Sequence, residues 1–218
     1  MKFIFNCIIL ILVTNCIPIT YSNMQNANII GKGQFEFTGS TSFAMSTFNY
    51  GLQLAYGTSE KSNVRMRFER ININPMFSTG SGFLNDSLLN QEINFNHISL
   101  GLKRELIKKK LSIFFPISFT IGKEIGNSVV LFEPTLIFSL RYKKYIEINP
   151  SIKTLIPINQ GLLNTDELLM CYNIGTGISP NLNRWSFMTE FGLLTNIYHE
   201  GFIPNFSIGI SLLTKKNQ

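Results

Sequence analysis

Apolar and polar residues alternate along this 218-residue chain with a period of two. In NVRMRFERI, residues 63–71, each apolar side chain from Val64 to Phe68 is followed by a charged one. Successive side chains of a β-strand point to opposite faces, so this segment predicts a strand with one apolar and one charged face. The fold then depends on what each face contacts.

The same alternation recurs in ten segments, and no helical period of 3.6 residues appears after residue 23. The segments are residues 34–43, 48–57, 63–74, 95–106, 111–122, 129–142, 145–156, 168–179, 185–196 and 206–213. Most are close to the ~9–11 residues that a tilted strand needs to cross a bilayer. An even number of such strands predicts an all-β, closed, antiparallel up-and-down transmembrane β-barrel, because closure leaves no unpaired edge in lipid.

The alternating faces also fit a soluble exported barrel that binds an apolar ligand inside. Two observations favour lipid instead. The apolar faces are rich in Phe, Ile and Leu, while the opposite faces are rich in Gly, Ser, Thr and Asn. Only 15% of the residues are charged, whereas about 25% is usual in water-exposed proteins. The apolar faces are therefore predicted to contact lipid.

The lengths of the connections between the predicted strands also indicate a membrane-spanning barrel. Short, polar or basic turns are expected on the periplasmic side, at residues 58–62, 107–110, 143–144 and 180–184. Longer loops are expected on the other side, at residues 75–94, 159–167 and 197–205, with short exceptions at 44–47 and 123–128. This asymmetry is typical of outer-membrane barrels.

Three prolines conflict with the predicted strands. Pro116, Pro134 and Pro150 fall inside them, and each lacks the N–H that a ladder hydrogen bond needs. We therefore expect bulges at these prolines or different strand boundaries. The chain also ends in LLTKKNQ rather than with the aromatic residue that often closes outer-membrane strands.

The N-terminus is predicted to be a secretory signal peptide, residues 1–22, before a barrel domain at residues 23–218. Lys2 precedes an apolar run at residues 8–13, which is far shorter than the roughly 20 residues of a spanning helix. Thr20 and Ser22 fit cleavage before Asn23. Alternatively, Cys16 is the lipid-modified cysteine of a lipoprotein, although Asn15 before it is an unusual neighbour. Both schemes remain open.

Cysteine and charge exclude several classes of site. Cys7 and Cys16 lie in the signal region, so Cys171 alone remains in the barrel domain, and neither an internal disulfide nor a cysteine-based zinc site is expected. The formal charge of +6 is spread along the chain, and Lys108–Lys110 is a predicted turn. We expect no nucleic-acid partner, metal or cofactor.

Several segments resemble small, porin-like outer-membrane β-barrel proteins of Gram-negative bacteria, some of which are lipoproteins. They are Cys16 with Pro18, GKGQFEFTGS (31–40), GLQLAYGTSEKSNVRMRFE (51–69), NRWSFMTEFGLL (183–194) and FSIGISLL (206–213). The resemblance implies a location in the outer membrane, contact with membrane lipid and lipopolysaccharide, and assembly by the barrel-assembly machinery. It carries no catalytic signature and leaves activity open.

Charged residues on the predicted inner face form the main candidate site. They are Arg65, Arg67, Glu69, Lys103, Glu133, Arg141, Glu147, Lys153 and Glu190. The interior of a ten-stranded barrel is narrow, and an unpaired buried charge is unfavourable. Both charge signs therefore predict a paired polar network that fixes the barrel, with a narrow pore as the alternative use of the same residues.

Catalysis has little support in the sequence. Outer-membrane proteases need clustered Asp and His at the outer rim, where the predicted loops place Asp86, Asp166, His199 and Glu200. His97 and Ser99 share the inner face, as a lipid deacylase would require, but a hydrogen-bonded interior pair is the simpler interpretation. An outer-membrane enzyme acting on lipid or peptide stays an alternative to a non-catalytic barrel with a structural, adhesion or passive permeation role.

Arg70 breaks the alternation because it shares the outward parity of Phe68. If the third predicted strand runs from the periplasmic side to the outer side, Arg70 lies near the outer rim. We expect it to contact lipopolysaccharide phosphates there.

Overall fold

The computed structural model describes residues 23–44, 47–73, 93–122, 128–142, 144–158, 169–196 and 202–214. The predicted signal peptide and Cys16 lie outside this part of the chain. Twelve strands form a single antiparallel sheet: β1 (Phe35–Ala44), β2 (Thr47–Ser59), β3 (Ser62–Ile73), β4 (Ile93–Ile107), β5 (Leu111–Ile121), β6 (Val129–Phe132), β7 (Thr135–Phe138), β8 (Leu140–Tyr142), β9 (Ile146–Pro157), β10 (Leu169–Ile178), β11 (Trp185–Asn196) and β12 (Phe202–Leu213). No helix in these ranges is long and apolar enough to cross a membrane.

The sheet closes on itself. Strands pair with their neighbours in chain order, and β1 pairs with β12, where Phe37 lies opposite Leu212 and Phe43 opposite Phe206. No strand edge is left unpaired at this seam, as lipid requires. The predicted closed antiparallel barrel is confirmed.

Strands β6, β7 and β8 take the place of one barrel strand. Leu131 lies opposite Pro157 and Leu140 opposite Ile148 with no shift of register against β9. The three pieces therefore continue one another, and the barrel wall has the ten strands that the sequence predicts.

Pro134 causes one of the interruptions, between β6 and β7, because its nitrogen cannot donate to the ladder. Backbone bonds span the break: Glu133 donates to the carbonyl of Pro116 at 3.0 Å, and Thr154 donates to that of Pro134 at 3.0 Å. Pro116 and Pro150 remain inside β5 and β9. The sixth predicted strand is thus interrupted rather than continuous.

The last strand is longer than predicted. It begins at Phe202 rather than Phe206, and Pro204 pairs opposite Leu193 inside it. A proline close to a glycine and followed by asparagine resembles a loop in sequence, but an alternating segment continues across it. The predicted loop at residues 197–205 is therefore shorter.

The two ends of the barrel differ. Short connections at residues 60–61, 108–110, 143–145 and 179–184 define the turn end. The connections at 45–46, 74–92, 122–128, 158–168 and 197–201 define the loop end. The long connection after Ile73 extends to Ile93, so the predicted asymmetry between the ends is present.

Candidate functional site

The outer face of the barrel is apolar. At mid-height Leu52, Leu100 and Ile174 are each more than half exposed, at 56%, 57% and 57%. Aromatic pairs lie on the same surface: the ring centroids of Phe35 and Tyr56 are 4.8 Å apart near the turn end. In water this surface would be a large unfavourable apolar patch.

The inner face of the barrel is polar and charged. Arg65, Lys103, Lys153 and Glu69 are among the largest fully buried side chains in the described residues. A soluble barrel turns its charges to water and its apolar residues inward, whereas here both are inverted. The chain is a membrane-spanning β-barrel. Barrels of this architecture span outer membranes, which places the protein there. A soluble barrel binding an apolar ligand does not fit, because charges occupy the middle of the interior and the apolar side chains face outward.

Eight of the nine charged residues predicted for the lumen are buried inside it: Arg65, Arg67, Glu69, Lys103, Glu133, Glu147, Lys153 and Glu190. Arg141 differs, because it lies one residue from the end of β8 and is exposed at the turn end. There it lines a cavity of about 300 Å³ together with Glu105, Lys108 and Trp185. We call the eight buried residues and Glu36 the charged layer.

Two arginine–glutamate pairs occupy the side of the charged layer formed by β1 and β3. Arg65 donates from Nη2 to Oε2 of Glu36 at 2.6 Å and from Nε to Oδ1 of Asn63 at 3.1 Å. Arg67 pairs with Glu69, two residues along the same face. Glu36 was not anticipated, although its alternation with Phe35 and Phe37 places it on the inner face.

Glu133 is the centre of the opposite side. Its carboxylate lies 3.3 Å from Nε2 of His97 and 3.7 Å from Nζ of Lys153, and it accepts a hydrogen bond from Ser118. Nδ1 of His97 lies 3.0 Å from the Thr120 hydroxyl. One carboxylate thus joins side chains of the neighbouring strands β4, β5 and β9.

Residues 23–34, called here the N-terminal segment, enter the lumen from the turn end. Asn23, Met24 and Ala27 are buried. The backbone N–H groups of Asn23 and Met24 donate to the Glu190 carboxylate at 2.6 and 2.8 Å. Sequence reasoning missed this segment because it is short and has no strand or helix period.

Further down, the N-terminal segment contacts two more members of the charged layer. The side-chain amides of Asn26 and Asn28 donate to Glu147 at 3.4 and 2.7 Å. Lys103 donates to the carbonyls of both residues, at 3.3 Å to that of Asn28. Residues 23–28 of the segment are therefore held by charged side chains of the barrel wall.

The loop end of the lumen is apolar. Inward-facing residues near the loop ends of the strands form a cluster that we call the apolar ring: Ala44, Ile71, Val129, Leu131, Leu155, Leu169, Cys171, Leu194 and Ile203, with Phe95 packed against it. The described lumen thus holds the N-terminal segment and the charged layer side by side from the turn end to mid-height, and the apolar ring at the loop end.

Gly192 leaves space for the side-chain amides of Asn173 and Asn205, which lie on the two neighbouring strands. A Cβ on Gly192 would overlap Oδ1 of Asn173 and lie only 2.6 Å from Oδ1 of Asn205. We expect Gly192→Ala to reduce the free energy of unfolding by about 1–3 kcal/mol, because these buried side chains must move.

The matched control for this prediction is Gly39→Ala. Gly39 also lies in a strand, but it faces outward, and an alanine Cβ at this position would have nothing within 4 Å. That change should be neutral or stabilise by about 0.5 kcal/mol. Urea unfolding in lipid vesicles measures both, and equal effects would contradict the crowding at Gly192.

Of the candidate catalytic residues, His97 and Ser99 lie in the described part of the chain, and they do not form an accessible site. His97 and Ser99 are both buried inside the lumen, away from the lipid and peptide substrates considered above. Within the described residues, no group of three or more His, Cys, Asp or Glu could hold a metal ion. Asp86, Asp166, His199 and Glu200 lie outside the described part of the chain.

Arg70 lies on the outer face near the loop end. Its guanidinium donates from Nη1 to Oδ1 of Asn96 at 3.2 Å, and the neighbouring Asn72 donates to the carbonyl of Phe48 at 3.2 Å. Tyr50, opposite Arg70 in the register, is 47% exposed. Arg70, Asn72 and Asn96 therefore form a small polar patch among the exposed aromatic residues at the loop end of the outer face.

No protein-family model matches the sequence, and no curated protein does either. Among solved structures, the chain is similar to a NanC porin, with a TM-score of 0.44 and 10% identity over 82% of this chain and 98% of that one. It is also similar to the KdgM porin in complex with disordered oligogalacturonate (TM-score 0.43, 9% identity, 82% and 98% covered). A third similar structure is the N-terminal β-barrel domain of Pseudomonas aeruginosa OprF (TM-score 0.35, 8% identity, 84% and 99% covered).

Proposed function

We propose that the protein is a non-catalytic outer-membrane barrel with a closed lumen, which holds its loop-end connections at the cell surface in a structural or adhesive role. The observation that carries this proposal is the filling of the lumen. The N-terminal segment and the charged layer together occupy the lumen from the turn end to mid-height, and the apolar ring occupies the loop end. Delivery to the membrane by the barrel-assembly machinery belongs to the same proposal.

The apolar ring gives the closed state its physical basis. Leu131, Leu155 and Leu194 are 1–3% exposed and belong to one packed cluster. An ion crossing this layer would lose hydration without gaining polar partners, and apolar constrictions close channels by excluding water. Below the ring, the charged side chains bind one another or the N-terminal segment rather than lining an open path.

Conductance in planar bilayers tests the proposal. Purified, heat-modifiable barrel should give no steady current at moderate voltage. A steady current from the intact barrel would contradict the closed lumen.

A narrow pore is the second candidate, because the N-terminal segment is held by hydrogen bonds to side chains and is not a strand of the wall. Withdrawal of the segment would leave Glu147, Glu190 and Lys103 beside a polar path from the turn end, and conduction would also require the apolar ring to open. A variant lacking residues 23–30 tests this candidate. A steady, cation- or anion-selective current from that variant alone would favour gated permeation, and continued silence would remove the pore.

Arg70 is proposed to bind a lipopolysaccharide phosphate, since its guanidinium lies half-buried at the loop-end rim and Asn96 orients it. Arg70→Ala should weaken lipopolysaccharide association about three- to tenfold, as the loss of one partly exposed charge-assisted contact would. Binding of lipopolysaccharide to the detergent-solubilised barrel measures this effect.

The control for this prediction is Arg104→Ala. Arg104 also faces outward from a strand, but it is exposed at the turn end. It should leave lipopolysaccharide association unchanged, and both variants should keep the folded-versus-boiled shift on a gel. Equal affinities of Arg70→Ala and the unmodified barrel would remove the proposed contact.

A further inference from the structure

Glu190 holds the beginning of the N-terminal segment at mid-height in the lumen. It lies in the middle of β11 and is 2% exposed. Oε1 accepts the N–H of Asn23 at 2.6 Å, and Oε2 accepts that of Met24 at 2.8 Å. Both oxygens of a buried carboxylate therefore bind backbone nitrogens at the start of the described chain.

With every group counted as ionised, the charged layer of the described residues holds five carboxylates and four cations. Its carboxylates are Glu36, Glu69, Glu133, Glu147 and Glu190, and its cations are Arg65, Arg67, Lys103 and Lys153. Ion pairs join Glu36 to Arg65, Glu69 to Arg67 and Glu133 to Lys153, and Lys103 and Glu147 both bind Asn28. Glu190 is left with backbone donors, and an unbalanced charge in a narrow lumen is unfavourable.

The missing positive charge is available from processing of the chain. Thr20 and Ser22 fit the positions that a signal peptidase inspects, with cleavage before Asn23. Hydrolysis of the Ser22–Asn23 peptide bond consumes one water, leaves a carboxylate on Ser22 and gives Asn23 an amino group that is protonated at neutral pH. The nitrogen so released is the one that lies 2.6 Å from Oε1 of Glu190.

We propose that cleavage after Ser22 creates an α-ammonium at Asn23 that pairs with Glu190 inside the lumen. Maturation then balances the charged layer and fixes the N-terminal segment in the turn end of the barrel. The inference rests on export of the chain and holds whether or not the barrel conducts.

Lipidation at Cys16, the alternative processing scheme, has different consequences for Asn23. A chain that begins at a lipidated Cys16 keeps an uncharged amide at Asn23, so Glu190 receives no counter-charge from it. The acyl chains must also reach a lipid leaflet across the residues before Asn23, which span at most about 3.6 Å each. The position of Asn23, buried beside Glu190 and Ser151, favours cleavage after Ser22 over lipidation at Cys16.

Intact mass and N-terminal sequencing of the barrel purified from outer membranes test the first step. We expect a chain that begins at Asn23 with a free amino group. An acylated N-terminus at Cys16, or a free terminus at another residue, would overturn the proposal.

Labelling of the α-amine tests the ion pair. At near-neutral pH, an amine-reactive ester should acylate Asn23 of the folded Glu190→Gln variant about tenfold faster or more than that of the unmodified barrel, because the uncharged side chain no longer holds the segment. Glu147→Gln is the matched control, since Glu147 binds side chains of the same segment but not its terminus. It should leave the labelling rate close to that of the unmodified barrel.

Equal labelling of Glu190→Gln and the unmodified barrel would overturn the ion pair. If Glu190→Gln does not fold, Glu190→Asp keeps the charge with a shorter reach and should label at an intermediate rate. A barrel with Asp at this position that labels as slowly as the unmodified one would contradict the close contact.

Discussion

Leu100→Arg is expected to reduce the free energy of unfolding by about 2–4 kcal/mol, because it places a guanidinium in the middle of the lipid-facing surface. Leu100 is 57% exposed and lies between Met66 and Ile117 in the register of β3, β4 and β5. On a water-exposed surface the same substitution would change stability by less than about 0.5 kcal/mol. Urea unfolding in lipid vesicles, followed by the fluorescence of Trp185, the single tryptophan, measures the difference.

Leu106→Arg is the matched control for Leu100→Arg. Leu106 lies on the same strand, has the same outward parity and is 53% exposed, but it lies at the turn end. Arg104 already occupies this level of the outer face. We expect a change of about 0–1 kcal/mol, since the effect of a charge falls toward the interface. Equal effects at both positions would contradict a membrane centred on Leu100.

Glu133→Gln is expected to reduce the free energy of unfolding by about 3 kcal/mol. The change keeps the side-chain volume and an acceptor for Ser118, but it removes the negative charge 3.7 Å from the ammonium of Lys153. Loss of one partner of a buried pair leaves the other charge uncompensated in a low dielectric. Glu60→Gln, at an exposed turn residue, should stay within about 0.5 kcal/mol of the unmodified barrel.

The double variant Glu133→Gln with Lys153→Met separates charge from packing. Removal of both charges leaves no uncompensated ion, so the double variant should regain about half or more of the stability that Glu133→Gln loses. A strictly additive loss would show that the pair is not coupled and that Glu133 acts through His97 and Ser118 alone.

Strand alternation predicted the barrel because lipid and lumen impose opposite polarity at every second residue. In β3 the prediction is complete: Val64, Met66 and Phe68 face outward, and Arg65 and Arg67 are buried. The same phase is repeated in all ten segments, so an exception in one of them does not change the interpretation. The same reasoning placed most of the charged layer, since parity alone decides which face a strand residue occupies.

Parity does not predict what fills the lumen. Ile71, Leu155 and Leu194 are apolar at inward positions, and in sequence each resembles a fault in the alternation rather than part of a ring. The ring exists because strands distant in sequence bring their loop ends together. The place of Asn23 beside Glu190 depends on a contact between residues 167 positions apart, for which no local pattern exists.

The burial of each charged side chain determines how strongly dissolved salt weakens its interactions. The pairs of Arg65 with Glu36 and of Arg67 with Glu69 are nearly inaccessible, and counter-ions screen buried charges far less than exposed ones. The Debye length falls from about 10 Å at 0.1 M salt to about 3 Å at 1 M, which would weaken the proposed contact of Arg70 with an anionic lipid. Concentrated salt should therefore weaken the proposed binding of lipopolysaccharide while the interior of the barrel stays intact.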